Sequence, residues 1–202
     1  MSFKRIAITF SLVTFCLYGV LILSLLYFYK GSLFFEIFFS ERTLFSIRLS
    51  IATATVATVF SMFFAVPSAY ALSRYSFFGK KLVDTILELP MIVSPVALGA
   101  MVLIFFNTPY GMTIQSNGLQ FVFTVYGILL AQFITTAGIA TRLVKAAMDE
   151  IPQRYEEVAK TLGASPSKTF FNVTLPLSKN GIIAASILTW AKALGEFGAT
   201  IT

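Results

Sequence analysis

The most informative residues of this chain lie in one charged, turn-forming segment, residues 156–176, between two apolar stretches. Pro152 suits the first turn of a helix and Gly163 suits the position just after its end, so residues 152–162 predict a short helix. Ser165-Pro166 predicts the cap and first turn of a second helix. The segment therefore predicts two short helices at an angle to each other.

The first short helix is predicted to be amphipathic. On a helical wheel, one face carries the apolar residues Tyr155, Val158, Ala159 and Leu162. The charged residues Glu156, Glu157 and Lys160 point away from that face. The pattern predicts a small apolar knob with charged edges, although an ordinary helix lying on a membrane surface has the same pattern.

A pair of opposite charges inside the last apolar stretch is a second candidate site. Lys192 and Glu196 are four residues apart, so they can meet on one face of a helix, and Glu196 would lie about 22 Å along a helix that starts at Gly181. A lone charge near the bilayer centre costs about 2.5–3.5 kcal/mol, so both should face protein or water. A structural pair that holds helices together and a pair in a transport pathway remain open alternatives.

Several kinds of chemistry are excluded by composition. The chain has no His and a single cysteine, Cys16, so metal catalysis and a disulfide framework within one copy are not expected. Gly79-Lys80-Lys81 lacks the upstream Gly and the Ser or Thr of a phosphate-binding loop. The chain therefore predicts no ATP hydrolysis of its own and no cofactor.

Composition also decides the fold class. The chain is 57% hydrophobic and 12% charged, with a mean hydropathy of +0.83, which predicts an all-α integral membrane protein. We expect one transmembrane domain over 1–202, a polytopic helical bundle. The predicted spans are at about 6–29, 44–72, 87–106, 119–140 and 181–202. The charged loop is predicted at about 145–178.

The positive charges predict how the bundle is oriented. Lys and Arg are concentrated at the amino terminus, after the second span and after the fourth, so these three segments should share the cytoplasmic side. Pro90 and Pro95 should break or kink the third helix, which is tolerable where the bundle satisfies the freed backbone groups.

The charged loop resembles the coupling loop of permease subunits of ABC importers. Glu157-x-Ala159, Gly163 four residues after the alanine and then Leu175-Pro176 follow the family spacing, with Val158 in place of the first alanine. The resemblance implies a type I permease bundle whose cytoplasmic coupling helices dock into a groove on an ATPase subunit. It implies these coupling residues: Tyr155, Glu156, Glu157, Ala159, Leu162, Gly163, Ser165, Leu175 and Pro176. Glu157 would be the charged contact, and Leu175-Pro176 would end the loop.

A second resemblance concerns the substrate. Residues 194–200, together with 88–90 in the third span, are similar to molybdate, tungstate and sulfate permeases, with Ser94 where many relatives carry a second proline. The substrate implied is a tetrahedral divalent oxyanion, most simply molybdate or tungstate, with sulfate as the alternative. The implied pathway and gate residues are Pro90, Pro95, Gly99, Lys192, Glu196, Phe197 and Gly198.

The resemblance also implies the partners. These are a second copy of the chain, two ATP-binding subunits that hold ATP and Mg, an external substrate-binding protein and the bilayer of a prokaryotic cell membrane, with no nucleic acid. The family has one more span after the position of the last residue here, so either the sequence is incomplete or the resemblance covers all but that span. There are two alternatives from other classes: an ion-coupled secondary transporter that uses Lys192 and Glu196, and a membrane scaffold. Copurification with a nucleotide-binding subunit distinguishes the importer from both.

Overall fold

A computed structural model describes residues 3–24, 27, 31–116, 121–122 and 124–196. All the regular structure within these ranges is helical. The longer helices are α1 (Phe3–Ser24), α3 (Glu41–Arg74), α4 (Lys80–Ile92), α5 (Pro95–Phe106), α7 (Val125–Asp149) and α11 (Lys179–Leu194). The shorter ones are α2 (Gly31–Phe38), α6 (Pro109–Ser116), α8 (Arg154–Thr161), α9 (Pro166–Thr169), a π-helical turn (Phe170–Thr174) and α10 (Leu175–Leu177).

The chain divides into two compact units, residues 1–48 and 49–202. The first contains α1, which is strongly apolar and has no buried residue. A helix that is apolar on all sides has no polar face to turn toward water, so lipid is the environment that suits α1.

The second unit is built around α7, which packs against α3, α4, α5 and α11. Its hydrophobic core consists of Ala69 of α3, Val144 and Met148 of α7, and Ala185 of α11. Small residues let helix backbones approach closely, which is how helices associate when lipid is as apolar as they are. A buried hydrogen bond between Ser61 and Thr136 hydroxyls, 2.9 Å long, adds a polar link between α3 and α7.

The predicted third span is divided into two helices. α4 and α5 meet at a bend of 113°, at Val93 and Ser94. Ser94 caps α5 by accepting a hydrogen bond from the backbone of Ala97, and Pro95 occupies the first turn. The predicted break at the prolines is therefore confirmed at Pro95, whereas Pro90 lies inside α4.

The fourth predicted span, 119–140, has different bounds in the structure. α7 begins at Val125 and continues to Asp149, so the first five residues of the predicted loop belong to it. Arg142 and Lys145 pair with acidic residues of α4, which lets the helix carry charge past the predicted end. The preceding uncharged connection contains α6.

The last apolar stretch is helical only as far as Leu194 in the described chain. Gly195 ends the helix, so the prediction that Glu196 lies on it about 22 Å from Gly181 is wrong. Residues 197–202 lie outside the described ranges, and a span over 181–202 stays a prediction. Within those ranges α1, α3 and α7 are long and apolar enough to cross a membrane, and α4 with α5 would make a fourth if the bent pair counts as one span.

Candidate functional site

The charged loop folds into two short helices joined by a left-handed glycine. α8 spans Arg154–Thr161, inside the predicted range, and Gly163 follows at φ 87°. Residues with a side chain rarely adopt that backbone conformation, which explains why glycine occupies this position. The Ser165 hydroxyl accepts a hydrogen bond from the backbone N–H of Lys168, and Pro166 begins α9. The predicted helix, reversal and cap are confirmed.

The apolar face of α8 points out of the fold. Tyr155 is 49% exposed, Val158 53% and Leu162 83%, while Ala159 is half-buried beside them. Single exposed apolar residues are common, but several large ones exposed together mark an interaction surface. We call Tyr155, Val158 and Leu162 the α8 knob.

The two neighbouring glutamates of α8 have opposite environments. Glu156 points away from the apolar face, as predicted, but it is only 3% exposed and so is not one of the predicted charged edges. Its carboxylate accepts hydrogen bonds from Arg74 Nε at 2.7 Å, Thr174 Oγ1 at 2.8 Å and the Tyr70 hydroxyl at 3.3 Å. Glu157 is exposed in the first turn of the helix, where its negative charge interacts favourably with the positive end of the helix dipole.

Arg74, the last residue of α3, is the partner that holds Glu156 in place. Its side chain is 6% exposed and that of Glu156 is 4% exposed. Beyond the ion pair, one terminal nitrogen of Arg74 donates to the carbonyls of Met148 and Ile151, both at 2.9 Å, and the other donates to Ser73. We call Arg74, Glu156, Tyr70 and Thr174 the buried cluster.

The buried cluster also depends on the π-helical turn that precedes Pro176. Proline has no N–H and its ring crowds the carbonyl four residues back, and a wider turn relieves both problems. The turn places Thr174, fully buried, against Glu156. Leu175-Pro176 lies in α10, just before α11 begins at Lys179, within a stretch that is almost continuously helical from Pro166 to Leu194.

The surroundings of Glu156 favour its charged form. Burial raises the pKa of Glu156, but hydrogen bonds from Arg74 and Thr174, the Arg74 charge and the Tyr70 hydrogen bond together outweigh burial. The pKa consequently lies below its ordinary value of 4.5. The carboxylate is thus ionised, and the ion pair intact, at neutral pH.

The predicted gate residues that the structure describes fall in two places, on α4 and α5 and at the end of α11. Gly99 is buried and Pro90 and Pro95 are half-buried, on α4 and α5. Lys192 Nζ lies 2.6 Å from Glu196 Oε1, so the predicted pairing is confirmed. The Glu196 side chain is buried, whereas that of Lys192 is 40% exposed.

The remaining two predicted gate residues, Phe197 and Gly198, lie outside the described ranges. Next to the end of α11, the buried Gln132 of α7 donates to the carbonyl of Ala193 at 3.1 Å, which ties that end to the bundle. Within the part of the chain that the structure describes, no three His, Cys, Asp or Glu side chains are grouped as metal ligands.

Two sets of polar contacts escaped sequence reasoning. From the sequence, Arg74 indicated only which side of the membrane its loop lies on, although its burial against Glu156 defines the site. The ion pairs between α4 and α7 join Arg142 to Glu88 and Lys145 to Asp84, the latter at 3.5 Å. Spacing could have indicated the second set, since the two acids lie four residues apart on α4 and the two bases three apart on α7.

Comparison with known proteins places these features in a family. The family profile described as "Binding-protein-dependent transport system inner membrane component" matches residues 57–202, which include the buried cluster and the α8 knob. The match covers well over half of the chain.

Individual relatives agree with the family match. The molybdenum transport system permease protein ModB of Haemophilus influenzae is 36% identical over 160 residues, covering 78% of this chain and 70% of that protein. The molybdate/tungstate transport system permease protein WtpB of Pyrococcus abyssi is 32% identical, covering 77% and 58%. The sulfate transport system permease protein CysW of Synechococcus elongatus is 35% identical, covering 76% and 54%.

Proposed function

The chain belongs to the family of inner-membrane components of binding-protein-dependent transport systems, and from that membership we propose that it is the membrane subunit of an ATP-driven molybdate or tungstate importer. It is a multi-pass membrane protein, and its family consists of transport components that are not themselves enzymes. The observation that carries the ATP-driven part is the α8 knob, an exposed apolar face on a short helix between membrane segments.

The α8 knob is suited to a groove on a separate ATP-binding subunit. Tyr155 and Leu162 offer the apolar area, Glu157 supplies a charge at the edge, and Gly163 keeps the reversal tight enough for the helix end to protrude. Two such subunits, one per copy of this chain, bind ATP and Mg and close on each other. Because a partner shifts an equilibrium only through differential affinity, the knob binds the open and closed ATPase arrangements differently.

The substrate proposal rests on the relatives named for molybdenum and for molybdate and tungstate. A dianion in the pathway would be repelled by an isolated Glu196, and the ion pair with Lys192 removes that repulsion. The bend between α4 and α5 near Pro90, Pro95 and Gly99 supplies irregular backbone, which membrane proteins tolerate where it lines a cavity. We assign the gate to these residues together with Phe197 and Gly198.

The remaining assembly follows the same proposal. Two copies of the chain form a homodimer with the pathway along its two-fold axis, and an external binding protein delivers the anion. The amino terminus and the α8 knob lie on the cytoplasmic side of a prokaryotic cell membrane, as the Lys and Arg distribution favours.

Reconstitution into lipid vesicles tests the proposal. The chain, its ATP-binding subunit and its binding protein are purified together, and uptake of molybdate, tungstate and sulfate is measured with and without ATP. We expect ATP-dependent uptake of molybdate or tungstate. Uptake of sulfate alone would show that the substrate is sulfate, as the name of the sulfate relative suggests. Uptake driven by an ion gradient without the ATP-binding subunit would establish the secondary-transporter alternative.

A further inference from the structure

Arg74 connects the end of α3 to two segments that lie 74 to 82 residues later in the chain. It is the last residue of α3, it donates to the carbonyls of Met148 and Ile151 at the end of α7, and its Nε donates to Glu156 in α8. A guanidinium is planar and presents its donors in a fixed fork, so these bonds set angles as well as distances. One side chain thus fixes α8 relative to the ends of two long membrane helices.

A fourth segment closes the arrangement from the opposite side. Thr174 of the π-helical turn donates to the same carboxylate oxygen that Arg74 contacts, and Tyr70, one turn before Arg74, donates to the other oxygen. Tyr70 also packs its ring on Phe170, with the ring centres 4.7 Å apart. Glu156 is therefore held from two sides, by the end of α3 and by the π-helical turn that leads toward α11.

Burial makes this connection resistant to opening. Exposed ion pairs are weak because water and salt screen them, but the side chains of Arg74 and Glu156 are 6% and 4% exposed. Separating them would leave a charge buried without its partner, which proteins avoid. Displacing α8 away from α3 is thus much harder than moving α8, α3 and α7 together.

The opposite side of α8 has no such restraint. Tyr155, Val158 and Leu162 are exposed, so a partner can bind there without disturbing the buried cluster. The helix has one face fixed to the membrane helices and another available for docking.

We propose that the buried cluster makes α8 and the ends of α3 and α7 a single rigid unit, with Arg74 as the positioning residue that transmits movement of the α8 knob to the membrane helices. This inference rests on the proposed function, because it assumes that an ATP-binding subunit moves the knob. It adds a residue outside the coupling loop whose task is transmission, while the knob itself performs the docking.

Arg74→Lys tests the inference, because lysine keeps the charge opposite Glu156 but cannot hold the carboxylate and both carbonyls in one plane. We expect the complex of this variant with its ATP-binding subunit and binding protein to assemble and hydrolyse ATP as the parent does. The amount of molybdate moved per ATP should fall about tenfold, within the range of measured coupling between protein sites. Arg48→Lys, the same substitution at an exposed position of α3, is the control and should change neither quantity.

A distance measurement reads the rigid unit directly. With Cys16 replaced by Ser, spin labels at Ser76 and Lys160, two exposed positions beyond α3 and on α8, report their separation with and without trapped ATP. The separation should stay constant in the parent and change in Arg74→Lys.

Four results separate the possible failures. A parental transport ratio in Arg74→Lys, or a label separation that changes in the parent, would overturn the inference and leave the importer proposal standing. Loss of ATPase binding in proportion to transport would also overturn it, since Arg74 would then only support folding. If the parental chain binds no ATP-binding subunit, the proposed function itself fails.

Discussion

Replacing Glu156 with alanine should destabilise the protein far more than the same change at its neighbour Glu157. Glu156 accepts three hydrogen bonds inside the buried cluster, and its removal leaves the Arg74 guanidinium buried without a counter-charge. Breaking a buried pair by removing one partner costs about 3–5 kcal/mol. Because Arg74 keeps its two carbonyl acceptors, we expect a loss in the free energy of unfolding near the lower end, about 3 kcal/mol.

Glu157 provides the matched control. It is exposed in the first turn of α8, where its contribution is a favourable interaction with the helix dipole, about 0.3–1 kcal/mol. The difference between the two alanine variants should therefore be about 2 kcal/mol or more, which is a factor of about 30 in the unfolding equilibrium constant.

Unfolding in detergent micelles with increasing SDS can be followed through the fluorescence of Trp190, the single tryptophan. Its indole N–H donates to Thr55 at 3.1 Å, so it reports the packing of α11 against α3. Equal destabilisation by the two variants, or a loss below about 1 kcal/mol at Glu156, would refute the assignment of a stabilising buried pair.

Three further predictions follow from the same structure. The stability that the parent holds over Glu156→Gln should be constant from pH 6 to 8 and shrink as the pH falls below about 4.5, because a lowered pKa adds stability only while the carboxylate is ionised; a difference that grows in acid would be the wrong sign. Gly138→Val should lower the thermal midpoint by the equivalent of about 1–3 kcal/mol, since any side chain there overlaps the backbone of α4, whereas Gly19→Val on the exposed α1 should change it little; equal shifts would contradict the close crossing. Gly163→Leu should leave the bundle folded but reduce copurification of the ATP-binding subunit, while Gly79→Leu, which is also at a positive-φ glycine, should not; normal attachment and ATP-driven uptake with Gly163→Leu would count against the docking role.

Local features of the site were predictable because they depend on neighbours in sequence. Gly163 and Ser165 occupy positions where backbone conformation and capping favour few residue types, and the structure has them in those roles. Pro95 begins α5 for the same reason. The long apolar segments predicted the helical class, because a helix pairs all of its backbone groups within one segment and so can cross lipid.

The features that the sequence did not predict depend on contacts between distant segments. Glu156 and Glu157 look equivalent on a helical wheel, and only the position of Arg74, 82 residues earlier, decides which is buried. The extension of α7 to Asp149 depends on pairing across to α4. The helical path through Pro176 needed a π-helical turn, which local propensity does not indicate.

Cross-linking from Leu162 is the most direct test of the claim that α8 is the docking element for an ATP-binding subunit. A photoreactive amino acid at this position, which is 83% exposed, is activated in the assembled transporter in its own membrane. The account predicts an adduct between this chain and the ATP-binding subunit that forms with different yield when ATP is trapped. Adducts with lipid or with an external protein, and none with that subunit, would contradict it.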